Sequence, residues 1–429
     1  MKKVLITLAI LALLAGLAMS LPPVRDRVIW RVDNALTWLR FILNPPEKVD
    51  FSLSSTSAAF TPELPTLQPS ATVAVTATPP EATALPPAPT LTATPLPASI
   101  RLTGVIYQTQ HGYFNYCAPA NLFMALSYWG WQGKVTELGP ALKPFAKDKN
   151  VMPYELVDYV NTYTNLKALE RVGGSQELIK RFLAAGYPLL IEKGFRTRDL
   201  NGRISWMGHY NVITGYDDAK KIFIVQDSYI KENNEVSYDL LEEEWLAFNY
   251  SYVLVYPPDK ENEVMTLLGT DADATANILA ALEKSSAQIY QSEGVDQFFA
   301  WYNYGTNLVK LQDFSGAAKA YDSALAAYNM LPDDLTLRPY RILWYETGPY
   351  FAYYYTGRYS DVIQLATNNS IAVVKDDEPA LEESFYWRAM ARVAIGETGG
   401  AVEDVQTCLK YHEGFAPCTA LAQELGIQP

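Results

Sequence analysis

A stretch of abruptly different composition divides this 429-residue chain and constrains its architecture more than any other feature. Residues 51–99 contain 10 Pro, 10 Thr, 10 Ala and 6 Ser, no Lys or Arg, and only two acidic residues, Glu63 and Glu81. Such a stretch cannot bury enough apolar surface to offset the entropy lost when its backbone is ordered. We therefore predict a disordered, partly polyproline II linker, able to span on the order of 100 Å or more.

The N-terminal residues, 1–21, have the pattern of an export signal. Two lysines precede an apolar run over residues 4–19, and small residues follow it. A cleaved signal peptide and an uncleaved signal anchor both fit this pattern. Residues 22–50 are typical of a juxtamembrane amphipathic segment, although a short soluble helix fits equally well. We expect an extracytoplasmic protein, anchored in a membrane at the cell surface, or secreted if the signal is cleaved.

Composition excludes several classes of function. The net charge of −13, from 34 basic and 47 acidic residues, argues against nucleic-acid binding, which needs a basic face. Three cysteines exclude a small disulfide scaffold and a four-cysteine zinc site, and we expect no metal or organic cofactor. Cys408 and Cys418 either form a disulfide in an exported chain or remain free thiols.

Cys117 is the first candidate for chemistry. The apolar residues that follow it recur at helical spacing, and Gly130 is a suitable C′ residue. Cys117 is therefore predicted at a helix N-terminus, where the helix dipole lowers a thiol pKa and favours the thiolate. The alternative is a buried structural thiol, because cysteine is often buried.

His209 and Asp227 are predicted to face each other across a β-hairpin. Two strand-like stretches, around residues 206–216 and 222–227, flank turn residues at 217–220. A hairpin centred on Asp218 pairs positions whose numbers sum to 436, which places His209 directly opposite Asp227. Together with Cys117 these residues have the nucleophile, base and orienter pattern of a Cys-His-Asp triad. The alternative for His209 is a structural histidine.

These residues carry a resemblance to a known family. The stretches around Asn115-Tyr116-Cys117-Ala118-Pro119-Ala120, Gly208-His209-Tyr210 and Asp227-Ser228-Tyr229 resemble the C-39-like group of papain-like cysteine peptidases, over residues 100–258. The resemblance implies an α+β fold, with a helix carrying the cysteine packed on an antiparallel sheet.

The resemblance also implies a role for each site residue. Cys117 would be the nucleophile, His209 the general base and Asp227 the orienter. Gln110 would help to form the oxyanion hole, although the family glutamine usually stands six residues before the cysteine and Gln110 stands seven before it. Ala118 occupies a position where the family has glycine.

Residues 270–429 are predicted to form an all-α domain of tetratricopeptide-like helical repeats. Trp301, Gly305, Leu308, Ala317 and Tyr321 fall at the offsets of that repeat, and two weaker units follow. Since one helix pair cannot bury its apolar face alone, the units are expected to stack. The stack would either bind a peptide or protein partner in its groove or simply stabilise the preceding domain.

Two functions follow from these predictions. The first is an exported, membrane-tethered cysteine peptidase that hydrolyses a peptide or amide bond in a peptide or protein substrate. The second is a catalytically degenerate papain-like domain that acts with the helical repeats as an extracellular peptide- or protein-binding module. Ala118 and the spacing of Gln110 motivate the second.

Overall fold

The computed structural model describes residues 95–428, with gaps at 114, 146, 199–203, 335–336 and 375–379, and a few earlier positions that include Phe51 and Leu53. The predictions for residues 1–21 and 22–50, and for most of the linker, lie outside these described residues. No helix within the described part of the chain has the length and apolar character needed to cross a membrane.

A seven-stranded sheet forms the centre of the first folded domain. Its strands are β1 Ser99–Arg101, β2 Lys167–Arg171, β3 Leu189–Arg198, β4 Ile204–Asp217, β5 Ile222–Asp227, β6 Lys231–Ser237 and β7 Tyr252–Tyr256. Six strands follow the order β2-β7-β3-β4-β5-β6, β1 pairs with β4, and every pairing is antiparallel.

Five helices belong to this domain: α1 Cys117–Tyr128, α2 Val135–Leu142, α3 Pro153–Tyr163, α4 Gln176–Ala184 and α5 Tyr238–Leu246. Leu122 and Leu126 of α1 and Leu156 of α3 are buried in one core with Val212 of β4 and Val253 of β7. The result is a mixed α/β domain with an antiparallel sheet, consistent with a papain-like fold.

Local sequence signals set the helix ends. Ser175 caps α4 by accepting the Leu178 backbone N–H at 3.1 Å, and Ser237 caps α5 in the same way. Gly130 follows the C-cap residue of α1 with a φ of +76°, the left-handed conformation that favours glycine. The prediction of a helix beginning at Cys117 is thus confirmed.

The predicted register of the β4–β5 hairpin is wrong. Asp217 pairs with Ile222, and the turn between them has four residues, so it is not centred on Asp218. A bulge between Ile213 and Gly215 then shifts the register back by one residue, which does not restore the predicted pairing. The last pair of the ladder is Val212 with Gln226, so His209 and Asp227 are not directly opposite partners.

The region after residue 258 is helical. It contains α6 Glu261–Leu268, α7 Ala274–Gln291, α8 Gly294–Lys310, α9 Phe314–Met330, α10 Gly348–Tyr355, α11 Tyr359–Gln364, α12 Glu382–Ala394, α13 Thr398–Tyr411 and α14 Ala416–Glu424. The first predicted repeat coincides with α8 and α9, while the repeat character of the whole region stays a prediction. Cys408 and Cys418 form a disulfide between α13 and α14.

The helical region and the α/β domain share one hydrophobic core. Trp206 of β4 packs against Phe299 of α8 and against Tyr345, with ring centroids 5.9 and 5.8 Å apart. Asn303 of α8 donates a hydrogen bond to the backbone carbonyl of Leu246 at 2.7 Å. The two parts therefore pack as one body, since apolar and polar contacts both cross the boundary.

The structure differs from the linker prediction at its first residues. Phe51 and Leu53 are 2% and 8% exposed and belong to the shared core. The composition of residues 51–99 is an average over the whole stretch. It gives no sign of the two apolar side chains, Phe51 and Leu53, that pack on the folded body.

Candidate active site

Cys117 is the first residue of α1 and is partly exposed. The first intrahelical bond runs from the Ala120 N–H to the Tyr116 carbonyl at 3.1 Å. The Cys117 and Ala118 N–H groups precede this bond, and Pro119 has no N–H. Free N–H groups at a helix start form a partial positive charge, which can stabilise an anion beside the thiol.

His209 links Cys117 to Asp227. Its Nε2 atom lies 2.9 Å from Asp227 Oδ1, and the ring also hydrogen-bonds the Cys117 thiol. Because Nε2 is engaged by the carboxylate, Nδ1 is the nitrogen that faces the thiol. The structure therefore brings the three predicted residues together in the predicted order, although the register of the β4–β5 hairpin differs from the predicted one.

Backbone groups hold Asp227 in place. The N–H groups of Tyr229 and Ile230 donate to Oδ1 at 2.9 and 3.0 Å, and the residue is fully buried. Oδ1 thus accepts two backbone hydrogen bonds as well as its contact with His209. A carboxylate fixed in this way orients the imidazole and favours its protonated form.

Burial opposes charge at all three residues, but their mutual contacts outweigh it. Burial alone would raise the pKa of Cys117, yet the hydrogen bond and charge of His209 hold this pKa below its usual value. Burial alone would lower the pKa of His209, yet Asp227 raises it to about 9. The same pairing holds the pKa of Asp227 below its ordinary range. These shifts favour a thiolate–imidazolium pair.

Gln110 is anchored beside this group. Its Oε1 accepts a hydrogen bond from the Ser228 hydroxyl at 2.7 Å, and its backbone N–H donates to the Ser228 carbonyl at 3.0 Å. Asn121 donates from Nδ2 to the Ser228 hydroxyl at 2.8 Å and to the Cys117 carbonyl at 2.9 Å. With Oε1 engaged, the Gln110 amide nitrogen is the end that can donate to an oxyanion.

Part of the chain is similar to known proteins. Residues 102–253 match the Peptidase C39 like family. One solved structure, described as a C39-like peptidase from Bacillus anthracis, is 18% identical and has a TM-score of 0.30. The match covers 37% of this chain and 96% of that one. No curated protein matches the chain.

Ala118 stands next to Cys117 at the start of α1. Its side chain is 1% exposed and belongs to the core that α1 forms with the sheet, and Cys117 packs against the same core. The Ala118 methyl group is therefore a core contact.

Three residues that contact this group were not singled out from the sequence. Asn121 stands four residues after Cys117, one helical turn along α1, and this spacing was a usable signal. Ser228 directly follows Asp227 in the chain. Lys193 of β3 pairs directly with His209 of β4. It is buried and forms an ion pair with Glu244 at 2.5 Å. Nothing in its sequence context indicated this position.

One group of side chains in the described residues has ligand atoms of the kinds that bind a metal cation. Glu155 of α3, Glu382 of α12 and His412 each offer one ligand atom, and these atoms lie within 4.8 Å of one another. His412 Nδ1 lies 2.7 Å from Glu382 Oε1. The Glu155 carboxylate accepts the Met152 N–H at the start of α3. These internal hydrogen bonds account for the group as part of the contact between the two parts of the chain.

Proposed function

We propose that the C39-like region is an active cysteine peptidase that hydrolyses a peptide or amide bond through Cys117, His209 and Asp227. The hydrogen-bonded chain from the Cys117 thiol through His209 to the buried Asp227 carries this proposal. The partial exposure of Cys117 leaves the nucleophile within reach of a substrate. The match of residues 102–253 to a peptidase family supports the same reaction class.

The acylation step uses the ion pair directly. The Cys117 thiolate attacks the carbonyl carbon and forms a C–S bond, while the carbonyl π electrons move to oxygen. In this proposal Gln110 and the Cys117 backbone N–H donate to that oxyanion and stabilise it. The His209 imidazolium then donates its proton to the leaving nitrogen, the C–N bond breaks, and an amine departs from a thioester.

Deacylation reverses the roles. Neutral His209 removes a proton from a water molecule, and the resulting oxygen attacks the thioester carbonyl. The C–S bond breaks, the acid product leaves, and Cys117 returns as the thiolate. Asp227 keeps the imidazole in one orientation in both steps, since its carboxylate is itself fixed by backbone N–H groups.

A direct test compares the purified protein with its Cys117→Ala variant on a mixture of unmodified peptides analysed by mass spectrometry. We expect cleavage by the wild type and none by the variant. Asp227→Ala should lower kcat/KM by roughly 100-fold or more, because His209 loses both the acceptor that orients it and the charge that raises its pKa.

Thiol labelling separates this proposal from the binding-module alternative. The other two cysteines form a disulfide, so Cys117 is the one free thiol among the three cysteines of the chain. If native Cys117 reacts with iodoacetamide no faster than in the denatured protein, and no peptide is cleaved, the chain is a binding module.

We further propose that the protein is exported and held at a membrane by its N-terminal residues. Support comes from the two lysines before the apolar run at residues 4–19 and from the Cys408–Cys418 disulfide, which is typical of oxidising compartments. Cell fractionation with N-terminal sequencing tests this. A mature chain starting near residue 21 means a cleaved signal, and an intact N-terminus in the membrane fraction means an anchor.

We also propose that the helical region consists of tetratricopeptide-like repeats that bind a protein partner. A Cβ on Gly305 of α8 would lie 2.9 Å from the Tyr321 ring of α9, and such close helix contact at a small residue fits that repeat. Gly305→Leu should separate the two helices and lower the thermal midpoint by several degrees. An unchanged midpoint would speak against this packing.

A further inference from the structure

Residue 51 is held by an amide side chain from far along the chain. The Phe51 backbone N–H donates to Asn329 Oδ1 at 3.2 Å, and Asn329 Nδ2 donates to the Phe51 backbone carbonyl at 3.0 Å. The two residues are 278 positions apart. One asparagine amide thus satisfies both backbone groups of a single residue, much as a neighbouring strand would.

The Phe51 side chain supplies a second, apolar contact. Its ring meets the ring of Tyr328 edge to face, with centroids 4.5 Å apart, and Tyr328 in turn packs against Phe298 of α8. Phe51 is 2% exposed and Leu53 is 8% exposed. The end of α9 therefore contacts the Phe51 backbone through Asn329 and the Phe51 ring through Tyr328.

We infer that Asn329 and Tyr328 form a docking site for an aromatic segment, and that Phe51 of this chain occupies it as an intramolecular clasp. Backbone pairing alone accepts any sequence, so the aromatic ring gives the site its specificity. Phe51 is suited to this role because it is the one aromatic residue between positions 51 and 59.

The clasp changes the role expected for the linker. The far end of the linker is fixed as well, because Tyr216 donates to the Pro97 carbonyl at 2.5 Å and the Asp218 N–H donates to the Ala98 carbonyl at 2.9 Å. The two attachment points lie on parts of the chain that share one core. The chain that leaves at residue 53 must therefore return to the same body.

A linker that is attached to the same body at both ends does not act as a spacer between that body and a membrane. If residues 22–50 lie at a membrane, the folded body is held there at residue 51, and residues 54–96 add no distance between them. This consequence rests on the export proposed above, whereas the docking site does not. Its test is accordingly made on the purified full chain in solution.

Hydrogen exchange of the Phe51 amide tests the clasp. In the wild type we expect exchange slowed by the bond to Asn329, and Asn329→Ala should accelerate it at least tenfold. Asn329 is exposed, so the substitution leaves the core of α9 intact. The matched control is the adjacent Met330→Ala, since Met330 is 81% exposed and should leave the exchange rate unchanged.

Limited chymotrypsin digestion gives an independent measurement. Cleavage after Phe51 should be at least tenfold slower in the wild type than in Asn329→Ala, with cleavage after Phe60 as a reference within the same chain. Equal rates of exchange and of cleavage at Phe51 in the wild type and in Asn329→Ala would overturn the inference. Both readouts are independent of peptidase activity, so an inactive protein would still decide the question.

Discussion

Tyr345 of the helical region packs against Gly208, the residue that precedes His209 on β4. A Cβ on Gly208 would lie 2.7 Å from two ring atoms of Tyr345, and the Gly208 backbone hydrogen-bonds the tyrosine hydroxyl. Burial raises the pKa of Tyr345, and the charge of Cys117 raises it further. The helical region therefore supports the strand that carries the candidate base.

This contact predicts that Gly208→Ala will impair the site. The added methyl would also lie 2.8 Å from the Phe248 ring, so the strand or both rings must move. Displacement of His209 weakens its bond to the thiol, and we expect the alkylation rate of Cys117 at pH 6.5 to fall about tenfold or more. The measurement is the rate of iodoacetamide labelling at the single free thiol.

The matched control is Gly399→Ala in α13. A Cβ at Gly399 meets nothing within 4 Å, so this substitution should leave labelling unchanged and stabilise the helix by about 0.5–1 kcal/mol. Equal labelling rates in Gly208→Ala and Gly399→Ala would mean that the lack of a side chain at Gly208 is not needed to position His209.

The opposed pKa shifts of the candidate pair predict a shallow pH profile for alkylation. The Cys117 pKa, which burial alone would raise, is lowered by His209, and the pKa of His209 is raised to about 9. His209 therefore stays protonated at neutral pH and favours the Cys117 thiolate, so the labelling rate should change less between about pH 6 and 8 than that of an ordinary thiol. In His209→Asn the rate should rise about tenfold per pH unit, as for an ordinary thiol. A wild-type profile that rises in the same way would contradict the ion pair.

Ala118→Gly tests whether the residue next to the nucleophile limits catalysis. Because the Ala118 methyl is buried in the core, we expect unchanged kcat/KM and a loss of about 1 kcal/mol in the free energy of unfolding. Chemical denaturation and peptide cleavage measure the two effects. A several-fold gain in kcat/KM would show instead that the methyl obstructs the substrate.

The sequence predicted the parts of this fold that local signals define. Gly130 marked the end of α1, and strand-like stretches around a turn marked β4 and β5. The edge strand β6 escaped detection because its Lys231–Ser237 stretch is polar and mostly exposed. A strand stabilised by pairing with β5 has little hydrophobic pattern of its own.

The sequence indicated which side chains of the candidate site would meet, but not the geometry that brings them together. His209 and Asp227 meet although their register was wrong, because Asp227 lies beyond the last β4–β5 pair, where the ladder no longer dictates its partner. Tyr345 and Phe51 reach their contacts across more than a hundred residues. Such contacts depend on how whole elements pack, and no spacing in the sequence encodes them.

The contact between the two parts of the chain also contains carboxyl groups that are partly or fully buried. Burial and, after it, the nearby charge of Glu382 raise the pKa of Glu155 to about 8. Burial likewise raises the pKa of Glu383. The charged groups that interact with this cluster come from both parts: Asp148, Asp158, Lys143, Glu382, Glu383 and His412.

These shifts predict that stability falls as pH rises. The folded-state pKa of Glu155 lies above its unfolded value near 4.5, so its contribution is complete below pH 4.5 and lost as pH rises through 8. His412, whose pKa is raised by Glu382 against the effect of burial, acts in the same direction above pH 6.5. Each such group contributes a slope of up to about 1.4 kcal/mol per pH unit.

Glu155→Gln isolates the carboxyl contribution. Glutamine keeps the oxygen that accepts the Met152 N–H but cannot ionise, so the free energy of unfolding should depend less steeply on pH between about 5 and 8. Urea unfolding at several pH values measures this slope. Glu177→Gln, at an exposed position in α4, is the matched control and should retain the wild-type slope. If both variants keep that slope, Glu155 is ionised in the folded protein, and the two parts of the chain are joined without a protonated carboxyl group at this position.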